Sequence, residues 1–318
     1  MPMNPLNRTA NSPNRTTDAP DWPSALPAEE DLATHWGRDC FTSSGTGAAG
    51  LFTLRDVHDV LCDSRTTSEY VALSTKSHRK VDAVEYTVRD RSVVERVSER
   101  VIGRLDLDRV EEFLADGSSL VLYRVHEFHP GIRRICRLLQ SRTGRLAEAV
   151  AFLSPPGRGA LSLHQDKVDV IVLQTSGSKR WRIFDHFDGQ DEPGLVTVPE
   201  GTQPAHRLML TPGDTCYMPA GRPHQALSTD DWSLHISITA WPVEPVQVLA
   251  RSLNDILPDL PAVDLYTTWD GELTERSDLE HAADTAARAM KEAPHEWRVP
   301  TVKAHGAQDR IAEVLGIA

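Results

Sequence analysis

The sequence predicts a mainly β fold with flanking helices, its core a jelly-roll or cupin-like barrel followed by a C-terminal helical region. Three observations predict it. Between residues 163 and 241, short β-branched or alternating apolar runs are separated by Gly- and Pro-containing turns. Helical periodicity lies on either side of that stretch. His164 and Asp166 stand at one strand end, and His224 follows about sixty residues later, room for several strands to bring it back to the same face.

Residues 1–27 are rich in Asn, Pro, Thr and Ala with almost no apolar periodicity, and read as a disordered tail. Residues 28–107 read as an N-terminal α/β region supporting the barrel. Within it Thr53–Leu61 is helix-like, with Leu54, Val57 and Leu61 on one face. Val93, Val94, Val97, Val101 and Leu105 also recur at helical spacing and should pack inward. The barrel is expected over residues 108–242. Asp108–Leu114 opens it as a short helix ended by Asp116-Gly117, and Ser119–Val125 is a strand. Ile132, Ile135, Cys136 and Leu139 mark a helix that stops at Thr143-Gly144. Val168–Gln174 is a buried strand, Thr175-Ser176-Gly177-Ser178 a hairpin-type turn, and Lys179–Phe184 the next strand. Leu208–Leu210 ends in Pro212-Gly213-Asp214 and leads through Thr215–Pro219 to His224; Trp232–Ala240 alternates as a last strand. Pro242 breaks the sheet, and residues 243–318 read as helical, with segments at Val246–Leu257, Ser277–Lys291 and Asp309–Leu315.

The chain of 318 residues carries a formal charge of −12, which argues against a general phosphate-binding surface and so against nucleic acid as a partner. An acidic surface suits a basic peptide or protein. Cys40, Cys62, Cys136 and Cys216 are scattered, as expected of thiols in a reducing compartment. No apolar stretch is long enough to span a bilayer and no signal-peptide core opens the chain, so no membrane association and a cytoplasmic location are expected.

The chemistry rests on His164, Asp166 and His224. Residues two apart on a strand point to one face, so His164 and Asp166 can serve one ion, with His224 as the third donor. Two imidazoles and one carboxylate on one face leave positions open for a cosubstrate and dioxygen, which suits a non-haem Fe(II) oxygenase. Zn(II) accepts the same donors but cannot change oxidation state, so a metal-binding cupin without oxygenase activity, a binding or regulatory module, stays open. Lys179 falls on an inward strand face, where a buried ammonium calls for an anionic partner. Trp181 shares that face and either walls a cavity or packs in a core. His235, with Ser233 and Ser237 on its face, is either a substrate contact or a hydrogen-bonded structural histidine. Ser154 offers a hydroxyl near a strand end, or is a turn serine.

Ser154-Pro155-Pro156-Gly157, His164-Gln165-Asp166, Asp169-Val170, Leu173-Gln174, Gly177, Lys179-Arg180-Trp181-Arg182, Pro212-Gly213-Asp214, Pro219–His224 and Ser233-Leu234-His235 keep a familiar order and spacing. From about Asp108 to Trp241 the chain resembles the JmjC-type, cupin-like hydroxylases of the ribosomal oxygenase branch. The resemblance implies a double-stranded β-helix that binds Fe(II) and 2-oxoglutarate and uses dioxygen to hydroxylate a side chain of a protein or peptide. An N-methyl demethylase of the same superfamily is the alternative, because hydroxylating an N-methyl group releases formaldehyde. Lys179 matches the family's basic residue for the far carboxylate of the cosubstrate. Val150 and Phe152 stand where ribosomal members tend to carry Asn and Tyr, so the family's substrate does not transfer; Phe152 becomes an apolar pocket residue. In that branch a helical dimerisation region and a winged-helix module follow the barrel. Here about 75 residues follow it. Val246, Leu249, Leu253 and Ile256 recur at helical spacing, and a homodimer is expected.

Overall fold

The computed structural model describes residues 22–88, 95–97, 100–186, 193–229, 231–243, 284 and 288. The helical segments expected beyond Pro242, and with them the dimerisation surface, lie almost wholly outside the described residues, as do residues 1–21. Residues 22–27, expected to belong to a disordered tail, are ordered instead: Ala25 and Leu26 are buried in the main core, and the Trp22 indole donates to the Pro27 carbonyl.

The N-terminal region contributes α1 (Glu29–His35), β1 (Phe41–Ser43), α2 (Leu54–Cys62), β2 (Val71–Ser74), β3 (Glu95–Val97) and β4 (Arg100–Ile102). Then come α3 (Leu107–Ala115), β5 (Ser119–Leu122), α4 (Pro130–Thr143), β6 (Ala147–Ser154), β7 (His164–Gln165), β8 (Asp169–Ser176) and β9 (Lys179–Ile183). The chain continues with β10 (Gly194–Leu195), β11 (His206–Leu210), β12 (Thr215–Met218), β13 (His224–Ser228) and β14 (Ser233–Ala240).

Two helix boundaries follow from capping. Thr53 caps α2, its side chain accepting from the Asp56 N–H while Asp56 returns the bond, a reciprocal box that satisfies two end donors. Gly144, at φ +68°, ends α4 in the left-handed conformation glycine tolerates best. The inward face of α2 is Val57 and Val60, whereas Leu54 is exposed and Leu61 only partly buried, a shift from the stripe read in the sequence. The helical spacing around Val97 and Val101 misled: those residues lie on the β3–β4 hairpin, where Arg96 faces Val101 and Val97 faces Arg100. β-branched residues serve either period, and here pairing won over spacing.

Among the described residues the strands form a seven-stranded sheet, β1-β12-β8-β14-β6-β5-β2, a five-stranded sheet, β10-β7-β13-β9-β11, and the separate hairpin. β1 and β2 extend the larger sheet at its two edges. Its strands β5, β8, β12 and β14 are buried on both faces. Ala149, Ala151, Ile171, Leu173, Leu234, Ile236 and Ile238 pack with Val57, Val110, Ile132, Ile135 and Leu139 of the helices. Alternate residues turn the other way: Val170, Val172, Cys216 and Met218 meet Trp181, Ile183 and Leu210 of the smaller sheet. This double burial is why Val170–Leu173 reads as an unbroken apolar run.

Gly177 does not close a hairpin. β8 belongs to the larger sheet and β9 to the smaller, so Thr175–Ser178 carries the chain across from one to the other. A Cβ at Gly177 would overlap the Trp232 carbonyl, and φ is +58°. Only glycine fits that corner without displacing backbone. Two facing antiparallel sheets joined this way are the jelly-roll core that the turn spacing predicts.

Candidate metal centre

Between the two sheets lies a cavity of about 380 Å³, within the roughly 300–1,000 Å³ usual for small-molecule sites. His164 opens β7 and His224 opens β13, and the two residues are direct cross-strand partners. Residues so paired project to one face, which brings the rings to 4.3 Å between centroids. Asp166 follows β7 by one residue. One donor atom from each of His164, Asp166 and His224 falls within 4.8 Å of the others. The Asp166 Oδ2 stands 3.8 Å from His164 Nε2 and 3.7 Å from His224 Nε2.

The outer hydrogen bonds fix which nitrogen faces the centre. His164 Nδ1 lies 2.8 Å from the Ser162 carbonyl and His224 Nδ1 lies 2.9 Å from the Arg222 carbonyl. A carbonyl oxygen only accepts, so both Nδ1 atoms carry the proton and both Nε2 atoms offer a lone pair toward Asp166. Burial, followed by the neighbouring His164, pushes the His224 pKa down to about 4, which keeps that ring neutral and ready to ligate. This donor set fits a divalent transition ion with open positions, since Asp166 remains partly exposed and borders a second opening with Lys167, Pro193 and Gly221.

The loop before His224 is held by a residue for which the sequence reading gave no task. Asp169 accepts from the Ala220 N–H at 2.9 Å through one oxygen and pairs with Arg145 through the other. The Gly221 N–H donates to the Asp166 carbonyl at 2.8 Å, tying the same loop to the segment that carries the first two donors. An acidic residue opening an otherwise apolar strand was the available signal.

Lys179 is 1% exposed and lies on the inward face of β9, with Arg180 and Arg182 outward, as alternation requires. Its Nζ donates to His235 Nδ1 at 2.8 Å and approaches the Phe152 carbonyl at 3.4 Å; among the described residues no carboxylate meets it. Burial drags its pKa from 10.5 to about 7. An ammonium this deep with neutral partners alone is a standing cost, and an anion entering the cavity would relieve it. His235 accepts through Nδ1, so its Nε2 carries the proton; burial, then Lys179, holds its pKa well below the ordinary range. Phe152 stacks on His235 at 4.9 Å, and Trp181 meets it edge-on at 5.4 Å.

Phe152, Lys179, Trp181, His235 and the three candidate ligands all line the cavity. The Trp181 Nε1 is buried with no hydrogen-bond partner. Ser154 does not line it. It shares the face of Phe152 but stands one pair further along β6, opposite Ser233, with its Oγ buried and unpartnered. The cosubstrate contact expected of Ser154 therefore draws no support from the lining of this cavity. His126 and His129 serve backbone: His126 Nδ1 accepts from Ala149 N and His129 caps α4.

Residues 121–246 match the family model described as JmjC domain. Among curated proteins, the chain is 30% identical over 162 residues to the bifunctional lysine-specific demethylase and histidyl-hydroxylase NO66 of Drosophila willistoni, covering 49% of this chain and 21% of that protein. It is 28% identical over 246 residues to ribosomal oxygenase 1 of Gallus gallus, covering 74% of this chain and 39% of that protein. The chain thus spans well under half the length of these relatives. Among solved structures, Escherichia coli ycfD superposes with a TM-score of 0.53 at 17% identity, over 86% of this chain and 70% of that one. The same ribosomal oxygenase in complex with cobalt and 2-oxoglutarate gives a TM-score of 0.51 at 17% identity, over 85% and 68%. These superpositions show the shared fold. Among the described residues no helix is long and apolar enough to cross a membrane.

Proposed function

We propose that this chain, which carries a JmjC domain of the ribosomal-oxygenase kind over residues 121–246, is an Fe(II)- and 2-oxoglutarate-dependent dioxygenase that hydroxylates a side chain of a protein or peptide. The observation that carries the reading is one cavity with two complementary features. Three ligand atoms converge at one part of it, and at another a buried lysine waits without an acid.

His164, Asp166 and His224 would hold the iron, each imidazole oriented by the backbone carbonyl behind it. Lys179 would take the far carboxylate of 2-oxoglutarate, a charge-assisted bond in a site shielded from water. His235 holds the Lys179 ammonium in place, and Phe152 and Trp181 brace His235. Bound there, the ion and 2-oxo acid supply the activation of dioxygen; the protein contributes geometry and exclusion of water. The homodimer and the cytoplasmic location stay part of this reading as proposals.

Hydroxylation is favoured over demethylation, although relatives carry both activities in their names. A methylated ammonium entering this cavity would meet Lys167, and with Asp166 on the metal no carboxylate among the described lining residues is left to receive it. The rival binding-module reading leaves the Lys179 charge buried with no purpose. Anaerobic titration with Fe(II) and 2-oxoglutarate separates them. A visible metal-to-ligand charge-transfer band should appear for the wild type and weaken in Lys179→Ala. A protein that binds iron but never the 2-oxo acid would refute the enzyme reading.

A further inference from the structure

We infer that the group hydroxylated is an uncharged apolar side chain of a peptide, an aliphatic one above all. This deepens the reading above and rests on it.

Three observations point there. First, the wall away from Lys179 is a small hydrophobic cluster of its own, in which Ala72, Val121 and Ala160 are buried and Val150 and Phe152 pack against them from β6. Four of these five side chains line the cavity directly, so this cluster is left open on the cavity side. Second, among the described residues the charged ones lining the cavity are Asp166, Lys167 and Lys179. With Asp166 engaged by a metal and Lys179 by the cosubstrate, the charge left to meet a substrate is the cation of Lys167. An entering guanidinium or ammonium would be desolvated against apolar wall with no carboxylate among the described residues free to meet it, and repelled by Lys167 as well. Third, the rim carries large apolar side chains that are open to solvent. Tyr123 and Leu161 line the cavity while 40% and 43% exposed, and Leu195 is 82% exposed. Leu195 is the cross-strand partner of His164, so it projects to the same face as that ligand. Exposed apolar side chains gathered at the mouth of a cavity mark a surface that an apolar ligand covers.

The reaction is balanced without further reagents. A C–H bond of the substrate becomes C–OH with one dioxygen atom, and the other enters succinate as 2-oxoglutarate loses carbon dioxide. Two electrons come from the hydroxylated carbon and two from the 2-oxo acid, reducing dioxygen fully.

Degenerate peptide pools, each with one fixed central residue, test the inference in two ways. Pools are incubated with the full chain, Fe(II), 2-oxoglutarate and air, and read by mass spectrometry for a gain of one oxygen. Their anaerobic affinity for the protein loaded with Mn(II) and 2-oxoglutarate is measured separately by fluorescence anisotropy. The expected result is oxidation and at least tenfold tighter binding of the Leu, Ile and Val pools over the Arg, Lys, His and Asp pools. Val150→Asp should erase that preference, moving binding toward the Arg pool while the 2-oxoglutarate charge-transfer band persists. Preferential oxidation of Arg, Lys, His or Asp pools would overturn the inference and leave the oxygenase reading standing. So would equal binding of all pools, oxidation of none by a protein that binds 2-oxoglutarate, or an unchanged preference in Val150→Asp. A wild-type protein that fails to bind 2-oxoglutarate would instead remove the enzyme reading on which the inference stands.

Discussion

Replacing Lys179 with methionine should make the metal-free protein more stable and, in the same molecule, cripple cosubstrate binding. The ammonium is 1% exposed and has a carbonyl and a neutral ring as partners. Its pKa falls from 10.5 to about 7 by burial alone. At about 1.4 kcal/mol for each pH unit, that fall sets a ceiling of roughly 5 kcal/mol on the cost of keeping the charge inside. Apolar replacements of buried charges of similar volume return on the order of 1–4 kcal/mol. The sign with pH follows from proton counting. The unfolded chain keeps the Lys179 proton up to about pH 10.5, while the folded chain sheds it near 7. Below about pH 7 both states are charged and the folded state bears the whole penalty. From there to about 10.5 the unfolded state binds more protons, so wild-type stability climbs. The methionine gain should thus be largest at pH 6 and shrink by pH 9, as read from urea unfolding of the metal-free proteins. Calorimetry with Mn(II)-loaded protein should show 2-oxoglutarate binding weakened by about 2–5 kcal/mol, the usual cost of removing one partner of a buried charged pair. A methionine variant that is less stable than wild type at pH 6, or that binds 2-oxoglutarate equally well, would refute the assignment of Lys179 as an anion receptor.

His164→Ala and Asp166→Ala should each abolish the thermal stabilisation that Fe(II) or Mn(II) gives the wild type, which is about 2.7 kcal/mol when metal stands at 100 times its dissociation constant; differential scanning fluorimetry with and without chelator reads it. Asp169→Ala should cost about 3–5 kcal/mol in urea unfolding, because Arg145 loses its buried partner and the Ala220 N–H its acceptor. The same variant should weaken metal binding, since that loop leads into His224. Gly177→Ala should destabilise by more than about 2 kcal/mol through the clash with the Trp232 carbonyl at a positive φ, whereas Gly157→Ala, with open space around its Cβ position, should cost less.

Local pattern was enough wherever one chemical rule governs a residue. The alternation Lys179, Trp181, Ile183 against Arg180, Arg182 reads directly as inward and outward faces. The i, i+2 spacing of His164 and Asp166 reads as a shared face, and α4 shows its apolar stripe and its glycine stop. What was not legible depends on pairing at long range. Nothing local distinguishes a glycine that closes a hairpin from one that carries the chain between sheets; Gly177 is decided by Trp232, far along the chain. The β3–β4 hairpin was hidden because valines three and four apart satisfy a helix as well as a strand. Leu61 and Val60 exchanged places because a helix rotates slightly to suit what it packs against. The task of Asp169 was hidden too, as its partners Arg145 and Ala220 lie on either side in sequence.

The division of labour between the sheets explains why the site tolerates so polar a centre. The larger sheet spends one face on the helices, burying the Ile and Leu residues that stabilise the fold. Its other face is then free to present His235, Ser237 and Phe152 to the cavity. The smaller sheet carries His164, His224, Lys179 and Trp181 and contributes Ile183 and Leu210 to a second, smaller cluster. Charges are thus gathered on the sheet with less core to lose, and the Lys179–His235 bond crosses the gap between the sheets. A substitution there should be felt by ligand binding before it is felt by folding. One on the helix-facing side of the larger sheet should act in the reverse order, since each buried Leu or Ile truncated to Ala costs about 2–5 kcal/mol.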